Sequence, residues 1–76
     1  MKKYELIPVN GRKSFYGKAI VEVSEDGTET LYSYGTAIIK KTVNGELIKL
    51  WDGWSATTGN HIFSFCGLRK KQYMEL

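Results

Sequence analysis

Three Asn-Gly or Asp-Gly pairs divide the first two-thirds of the chain into short runs. Asn10-Gly11 ends the run YELIPV, Asp26-Gly27 ends FYGKAIVEV, and Asn44-Gly45 separates AIIKKTV from ELIKLW. Flanked pairs of this kind are the strongest short-range signal for a β-hairpin, because tight hairpin turns need residues that accept a positive φ. The sequence therefore predicts an antiparallel meander.

The runs between these pairs have the composition of β-strands, rich in Val, Ile, Tyr, Thr and Phe. They predict strands at residues 14–23, 29–43 and 46–51. A weaker run at residues 3–9 contains Pro8, which cannot donate a ladder hydrogen bond and is therefore expected in an edge strand.

The chain changes character after its second tryptophan. Good N-cap residues follow it: Ser55, Thr57 and Thr58. The run HIFSFC lacks strand alternation, and Gly67 then supplies a helix stop. This pattern predicts a short helix at residues 57–66. The tail LRKKQYMEL suits either a further helical turn or an edge strand, and we favour the helix.

These elements define the expected fold class, which is α+β. We expect an antiparallel β-meander of three to four strands with one short C-terminal helix packed on one face. A chain of 76 residues has room for a single domain, residues 1–76.

The length of each hairpin loop predicts which residues share a face of the sheet. A three-residue loop ending at Gly27 pairs Val21 with Leu31 and Ala19 with Ser33, which keeps the apolar side chains on one face.

For the second hairpin we expect a two-residue Asn44-Gly45 loop. It pairs Ile39 with Leu50 and, on the other face, Lys40 with Lys49.

This register predicts an apolar inner face, which Ile62, Phe65 and Cys66 of the helix are expected to cover. The inner face comprises Phe15, Ala19, Val21, Val23, Leu31, Ala37, Ile39, Ile48 and Leu50. The outer face is aromatic and basic, and comprises Tyr16, Lys18, Ile20, Tyr32, Tyr34, Ile38, Lys40, Lys49 and Trp51.

The segment WDGWSATTGNH, residues 51–61, contains the residue types of a nucleophilic triad. Ser55 or Thr57 would combine with His61 and Asp52, but their order and spacing match no nucleophile elbow. We favour a structural interpretation. The hydroxyl residues, Thr58 included, cap the helix, and His61 bonds back to the strand–helix turn.

The sequence contains no recognisable cofactor or metal motif. His61 and Cys66 lack further ligands of the usual kind, and a phosphate-binding G-x-x-x-x-G-K loop is absent. We therefore predict no catalytic, cofactor-binding or metal-ligating residue, no small-molecule substrate and no enzymatic activity.

Aromatic side chains near the strand–helix junction suit a partner better than a substrate. Trp51 and Trp54 flank a turn and form a predicted binding lip, since aromatic anchors dominate interface hot spots. The alternative for Trp54 is that it plugs the end of the core. The residues expected to contact a partner are Lys18, Tyr32, Tyr34, Lys40, Lys49, Trp51 and Trp54.

The partner predicted for this surface is another protein or a second copy of the chain. Single-stranded nucleic acid is the alternative, with bases stacked on the aromatic rings and phosphates on the lysines. A net charge of +3 permits an anionic partner without requiring one.

Cysteine usage favours a reducing compartment. The lone Cys66 forms no internal disulfide and is expected to be a small buried hydrophobic residue. The start MKKYELIPV lacks the apolar run and cleavage site of a signal peptide, and no stretch approaches the length of a membrane span. The expected location is the cytoplasm, without membrane contact.

The order SYGT (residues 33–36), LWDGWSATTGNH (residues 50–61) and a phenylalanine four residues after the histidine resembles one protein family. It comprises small proteins, without an assigned activity, that phages and conjugative transposons of Firmicutes encode. The matching residues are Ser33, Tyr34, Thr36, Trp51, Gly53, Trp54, Ser55, Ala56, Thr57, Thr58, His61 and Phe65. Gly59 departs from the pattern, where a bulkier helix former is expected. The resemblance implies a mobile-element origin and a small fold of β-sheet plus helix.

Overall fold

The computed structural model describes residues 2–8, 15 and 17–76. The strands and helices are β1 (Lys2–Glu5), β2 (Ala19–Val23), β3 (Glu29–Ser33), β4 (Thr36–Lys41), β5 (Leu47–Lys49), α1 (Ala56–Cys66) and α2 (Lys70–Met74). The strands form one five-stranded antiparallel sheet in the order β1-β2-β3-β4-β5. The predicted α+β class and the meander are confirmed.

The sheet has one strand more than the sequence predicted, because residues 29–43 do not form a single strand. Tyr34 and Gly35 form a tight turn, with φ of 52° and 83°, that separates β3 from β4. Positive φ is uncommon for tyrosine, so the sequence gives little signal for this turn.

The helical part also has one element more than the single helix predicted. The helix expected at residues 57–66 is α1, and the tail forms α2, the alternative that the sequence favoured. The predicted turn at Asn10-Gly11, the ends of two predicted strands at residues 9 and 14, and the outer-face position of Tyr16 lie outside the described residues.

The first hairpin has the predicted three-residue loop. The amide of Ser24 donates to the carbonyl of Thr28 at 2.8 Å, and Gly27 adopts a φ of 89°. Val21 pairs with Leu31 in the sheet. The predicted register of β2 and β3 is confirmed.

The second hairpin differs from its prediction by one residue. Its loop includes Val43 as well as Asn44-Gly45, because the amide of Thr42 donates to the carbonyl of Glu46 at 2.9 Å. In addition, the amide of Glu46 donates to Thr42 Oγ1 at 3.1 Å. The three-residue loop shifts every pair between β4 and β5.

This shift exchanges the two faces of β5. Lys49 pairs with Ile39 of the inner face, and Ile48 pairs with Lys40 of the outer face. Successive side chains of a strand point to opposite faces, so a slip of one residue moves each of them to the other side. The prediction that Lys40 lies opposite Lys49, with Ile48 and the following Leu50 on the inner face, is wrong.

A β-bulge in β4 explains a second difference between the predicted and the observed faces of the sheet. The pairing shifts between Leu31 and Tyr32, so that Leu31 faces Ile39 whereas Tyr32 faces Ala37. Ile38 is the extra residue, and both Ile38 and Ile39 are buried, at 1% and 0% exposure. An extra residue in one strand changes which side chains share a face. The predictions of Ile38 on the outer face and Ala37 on the inner face are therefore wrong.

The hydrophobic core lies on one side of the sheet. It comprises Leu6, Phe15, Ala19, Val21, Leu31, Ile38, Ile39, Ile62 and Tyr73. Of these, Ile62 belongs to α1 and Tyr73 to α2, so both helices pack on the inner face. Phe65 and Cys66 are partly buried against the same cluster, as predicted.

The outer face carries two rows of side chains that run across the strands. The first row is Lys3, Glu22, Thr30, Lys40 and Ile48. The second row is Glu5, Ile20, Tyr32 and Ala37.

Ile38 on the inner face and Ile48 on the outer face are expected to differ in how much each stabilises the fold. Ile38→Ala removes a fully buried side chain and is expected to cost about 2–5 kcal/mol of unfolding free energy. Ile48→Ala, on the outer face, is expected to cost about 1 kcal/mol or less. Chemical denaturation of both variants checks this, and equal losses would contradict the one-sided core.

Candidate functional site

The residues predicted to contact a partner do not lie on one surface. Tyr32 and Lys40 belong to the two rows of the outer face. Tyr34 lies in the turn at the end of the sheet, where its ring is 5.9 Å from that of His61 and Lys18 Nζ is 5.9 Å from its centroid. Lys49, Trp51 and Trp54 are directed toward the helices.

The side chain of Lys49 lies on the inner side of the sheet and contacts residues there. Its side chain is only 17% exposed, and Nζ lies 3.8 Å from Asp52 Oδ1 and 5.8 Å from the ring centroid of Tyr73. The predicted pair of facing lysines beside an exposed indole is therefore absent from the outer face.

Each of the two tryptophans packs over a glycine. The ring of Trp51 lies so close to Gly53 that a Cβ there would collide with it. A Cβ at Gly59 would lie 2.5 Å from Cζ2 of Trp54. Both indoles are half-buried against the core, and Trp54 contacts Tyr73 with ring centroids 5.7 Å apart. This placement corresponds to the alternative in which Trp54 closes the end of the core.

One of the three candidate hydroxyls forms the helix cap. Ser55 has extended backbone angles, and its Oγ accepts a hydrogen bond from the amide of Thr58 at 3.1 Å. Thr57 is exposed. At the other end Gly67, with a φ of 78°, donates its amide to the carbonyl of Phe63. The cap fixes where α1 begins and ends.

A buried polar cluster joins α1 to β3. Ser33 Oγ lies 3.0 Å from Thr58 Oγ1 and 2.8 Å from His61 Nδ1, both within hydrogen-bond distance. The ring of Phe15 meets His61 edge-on, with centroids 4.4 Å apart. His61 therefore bonds to a strand and not to the strand–helix turn as predicted.

This cluster contains a serine next to a histidine, as hydrolases do, but it is closed to a substrate. Ser33 is 3% and His61 1% exposed. A nucleophile needs space for the reacting carbonyl beside it. The arrangement satisfies buried polar atoms and fastens the helix to the sheet.

Tyr73 is the largest fully buried side chain among residues 2–8, 15 and 17–76, and the sequence did not predict its position. It is completely buried, and its hydroxyl donates to the carbonyl oxygens of Ile38, at 3.1 Å, and Trp51. Burial raises the pKa of Tyr73, since the ionised phenolate would lose its hydration. The only sequence signal is an aromatic residue within a charged tail.

The outer face has an apolar centre with charges of both signs around it. Lys3 Nζ lies 3.7 Å from Glu22 Oε2, and the amide of Gly17 donates to Glu5 Oε1 at 3.0 Å. Ile20 and Tyr32 line a shallow groove of about 460 Å³ beside these groups. The groove is open, and both helices lie on the opposite side of the sheet.

The sequence model of a protein family matches residues 2–75, from β1 to the end of α2. The chain belongs to this family, DUF8033. It is a family of unknown function. No curated protein and no solved structure matches the chain.

The described part of the DUF8033 chain contains neither a cluster of metal ligands nor a helix that could span a membrane. Within residues 2–8, 15 and 17–76, no three His, Cys, Asp or Glu side chains come together as metal ligands. In the same residues, neither helix has the length and apolar character needed to cross a bilayer. Burial raises the pKa of the Cys66 thiol, whose Sγ donates to the carbonyl of Ile62 at 3.5 Å.

The contact between Trp54 and Gly59 predicts an unusual effect of alanine in the DUF8033 helix. Alanine is normally favoured over glycine inside a helix by about 1 kcal/mol. Gly59→Ala is nevertheless expected to destabilise the fold, because overpacking of this kind costs about 1–3 kcal/mol. In a Trp54→Leu background the same substitution is expected to stabilise it. Urea denaturation of the four proteins checks the coupling, and a stabilising Gly59→Ala in the wild-type background would contradict it.

The buried hydroxyl of Tyr73 predicts a pH-dependent stability difference. The folded-state pKa is raised above the ordinary value of 10.0, so the contribution of Tyr73 is complete below pH 10 and declines as pH rises further. Tyr73→Phe is expected to cost about 1–3 kcal/mol at neutral pH. The difference between the two proteins should shrink above pH 10. Denaturation at several pH values checks this, and a constant difference would contradict a raised pKa.

Proposed function

We propose that this DUF8033 chain is a small, non-enzymatic accessory protein of a mobile element and binds a protein partner through its outer face. The observation behind the proposal is an open sheet face with an apolar centre. The solvated face of an antiparallel sheet normally alternates to polar residues. Here one row contains Ile20, Tyr32 and Ala37 side by side.

The exposure of apolar side chains on the outer face and next to it supports a docking role. Ile20, Tyr32 and Ile48 are only partly buried, and the core cluster includes none of them. Leu50, which follows β5, is 44% exposed. Protein interfaces combine an apolar and aromatic centre with a polar rim, which is the composition of this face.

The charges around the centre favour a protein over a nucleic acid. Glu5 and Glu22 stand on the same face as Lys3 and Lys40, and carboxylates repel phosphates. Since Trp51 packs inward, Tyr32 is the aromatic residue of the two described rows on which a base would stack. Single-stranded nucleic acid is therefore the second outcome of the test below.

The proposed mobile-element origin rests on the motif resemblance, and the proposed cytoplasmic location on the lone cysteine. Most motif residues have structural positions. Ser33, Thr58 and His61 form the buried cluster, and the tryptophans pack over glycines. The shared motif thus supports a shared fold and leaves the outer face as the place where a partner is recognised.

The test is recovery of a partner from host-cell lysate with the tagged protein as bait. Tyr32→Ala is expected to reduce the recovered protein at least roughly fivefold, because loss of an interface anchor costs more than about 1 kcal/mol. Met74→Ala is the matched control, since Met74 is an exposed apolar residue on α2 (42% exposed), on the other side of the sheet.

Treatment of the lysate with nuclease separates the two partner classes. A protein band that persists after nuclease and is lost with Tyr32→Ala supports the proposal. Recovery that nuclease abolishes would replace it with nucleic-acid binding. A band equally strong with Tyr32→Ala would show that the outer face is not the binding surface.

A further inference from the structure

The geometry points to a second copy of the chain as an occupant of the outer face. The two copies would stack face to face across a two-fold axis that runs parallel to β3. This inference rests on the proposed protein-binding role of the face and names the partner. It follows from the order of charges along the first row.

A two-fold axis parallel to the central strand leaves β3 over β3 and exchanges the strands on either side. It brings β2 of one copy over β4 of the other. In the first row Glu22 belongs to β2 and Lys40 to β4, with Thr30 between them. Each Glu22 then faces Lys40 of the other copy, and the symmetry produces this pair twice.

The second row fits the same arrangement. Tyr32 of β3 meets Tyr32 of the other copy near the axis, and Ile20 of β2 meets Ala37 of β4. A large side chain opposite a small one lets the faces approach, as in sandwiches whose sheets pack about 10 Å apart. Aligned packing of two sheets, within about 30°, is a common solution for twisted antiparallel sheets.

Neither charge is held in a strong ion pair within the described residues, although the side chain of Glu22 is only 18% exposed. Among residues 2–8, 15 and 17–76, Lys40 forms no ion pair. Glu22 is near Lys3 at 3.7 Å, but the lysine side chain is 68% exposed, so this contact is a weak surface pair. Opposite charges at symmetry-exchanged positions make the face complementary to itself and disfavour a partner rotated out of register.

The size of the face sets the expected affinity. Five strands of this length span roughly 20 by 15 Å, from the usual strand spacing and rise. Two such faces cover roughly 600 Å² together, which is below the size of stable specific interfaces and in the range of weak, transient ones. We therefore expect a weak dimer, with a dissociation constant on the order of 100 μM.

Sedimentation velocity of the full chain at low salt, from roughly 5 μM to about 1 mM, tests the inference. The wild type is expected to pass from monomer to dimer across this range. Glu22→Lys and Lys40→Glu, taken singly, create like-charge pairs and are each expected to raise the dissociation constant at least about tenfold. An equimolar mixture of the two variants restores opposite charges and is expected to form a heterodimer within about threefold of wild-type affinity.

Matched controls separate this effect from a general change in charge. Glu75→Lys and Lys71→Glu make the same charge changes on exposed residues at the end of the chain and should leave dimerisation unchanged. Circular dichroism of every variant establishes that it is folded. Variants that are folded but do not dimerise, and that dimerise when mixed, support the inference.

Three results would overturn it. A wild type that stays monomeric at the highest concentration excludes the dimer. A dimer unaffected by either charge reversal uses another surface, and a mixture that fails to associate excludes this two-fold arrangement. Failure of this inference is distinguishable from failure of the proposed function. If the chain is monomeric but Tyr32→Ala abolishes recovery of a lysate protein, the outer face binds a different partner.

Discussion

The side chain of Tyr73 joins three segments that are far apart in the sequence, namely α2, the bulge of β4 and residues 51–54. It donates to the carbonyl of Ile38 in the β4 bulge and to that of Trp51 after β5, while its ring contacts Trp54 before α1. Placement of α2, the end of the sheet and the start of α1 all depend on this side chain. A chain of 76 residues buries a limited area, so one buried aromatic residue with both bonds satisfied has a large share in defining the fold.

The sequence contained enough information for the first hairpin and for α1, and too little for the second hairpin. At the first loop, only one register places the apolar residues on a single face, so the hydrophobic pattern predicts the register. In ELIKLW, apolar residues occur at both parities, and either register buries two of them. The register that forms includes a hydrogen bond from the Glu46 amide to Thr42 Oγ1, which the apolar pattern does not indicate. The bulge at Ile38 likewise depends on tertiary packing, which no local pattern records.

For the candidate site, sequence reasoning placed Tyr32 and Lys40 correctly on the outer face because side chains alternate regularly along β3 and along β4 after its bulge. It placed Trp51 and Lys49 on the wrong face, because the one-residue slip of the second hairpin exchanges the faces of β5 and of the residues after it. Ser33 was paired correctly in the sheet, but its bond to His61 depends on where α1 crosses β3. The motif WDGWSATTGNH, conspicuous for its composition, proves to build the junction between sheet and helix. The less conspicuous outer face is the surface through which we propose that a partner binds.

The two edge strands of the sheet are shorter than its central strands, and this difference bears on assembly. β1 has four residues and β5 has three. Such short edge strands offer few backbone donors and acceptors to an incoming strand. β1 also begins with two lysines, and charged residues on an edge strand oppose pairing with another strand. Growth of the sheet sideways into a continuous ribbon is thereby disfavoured. The proposed stacking through a single face would use that face completely in a closed pair, so association of this kind would not continue into fibres.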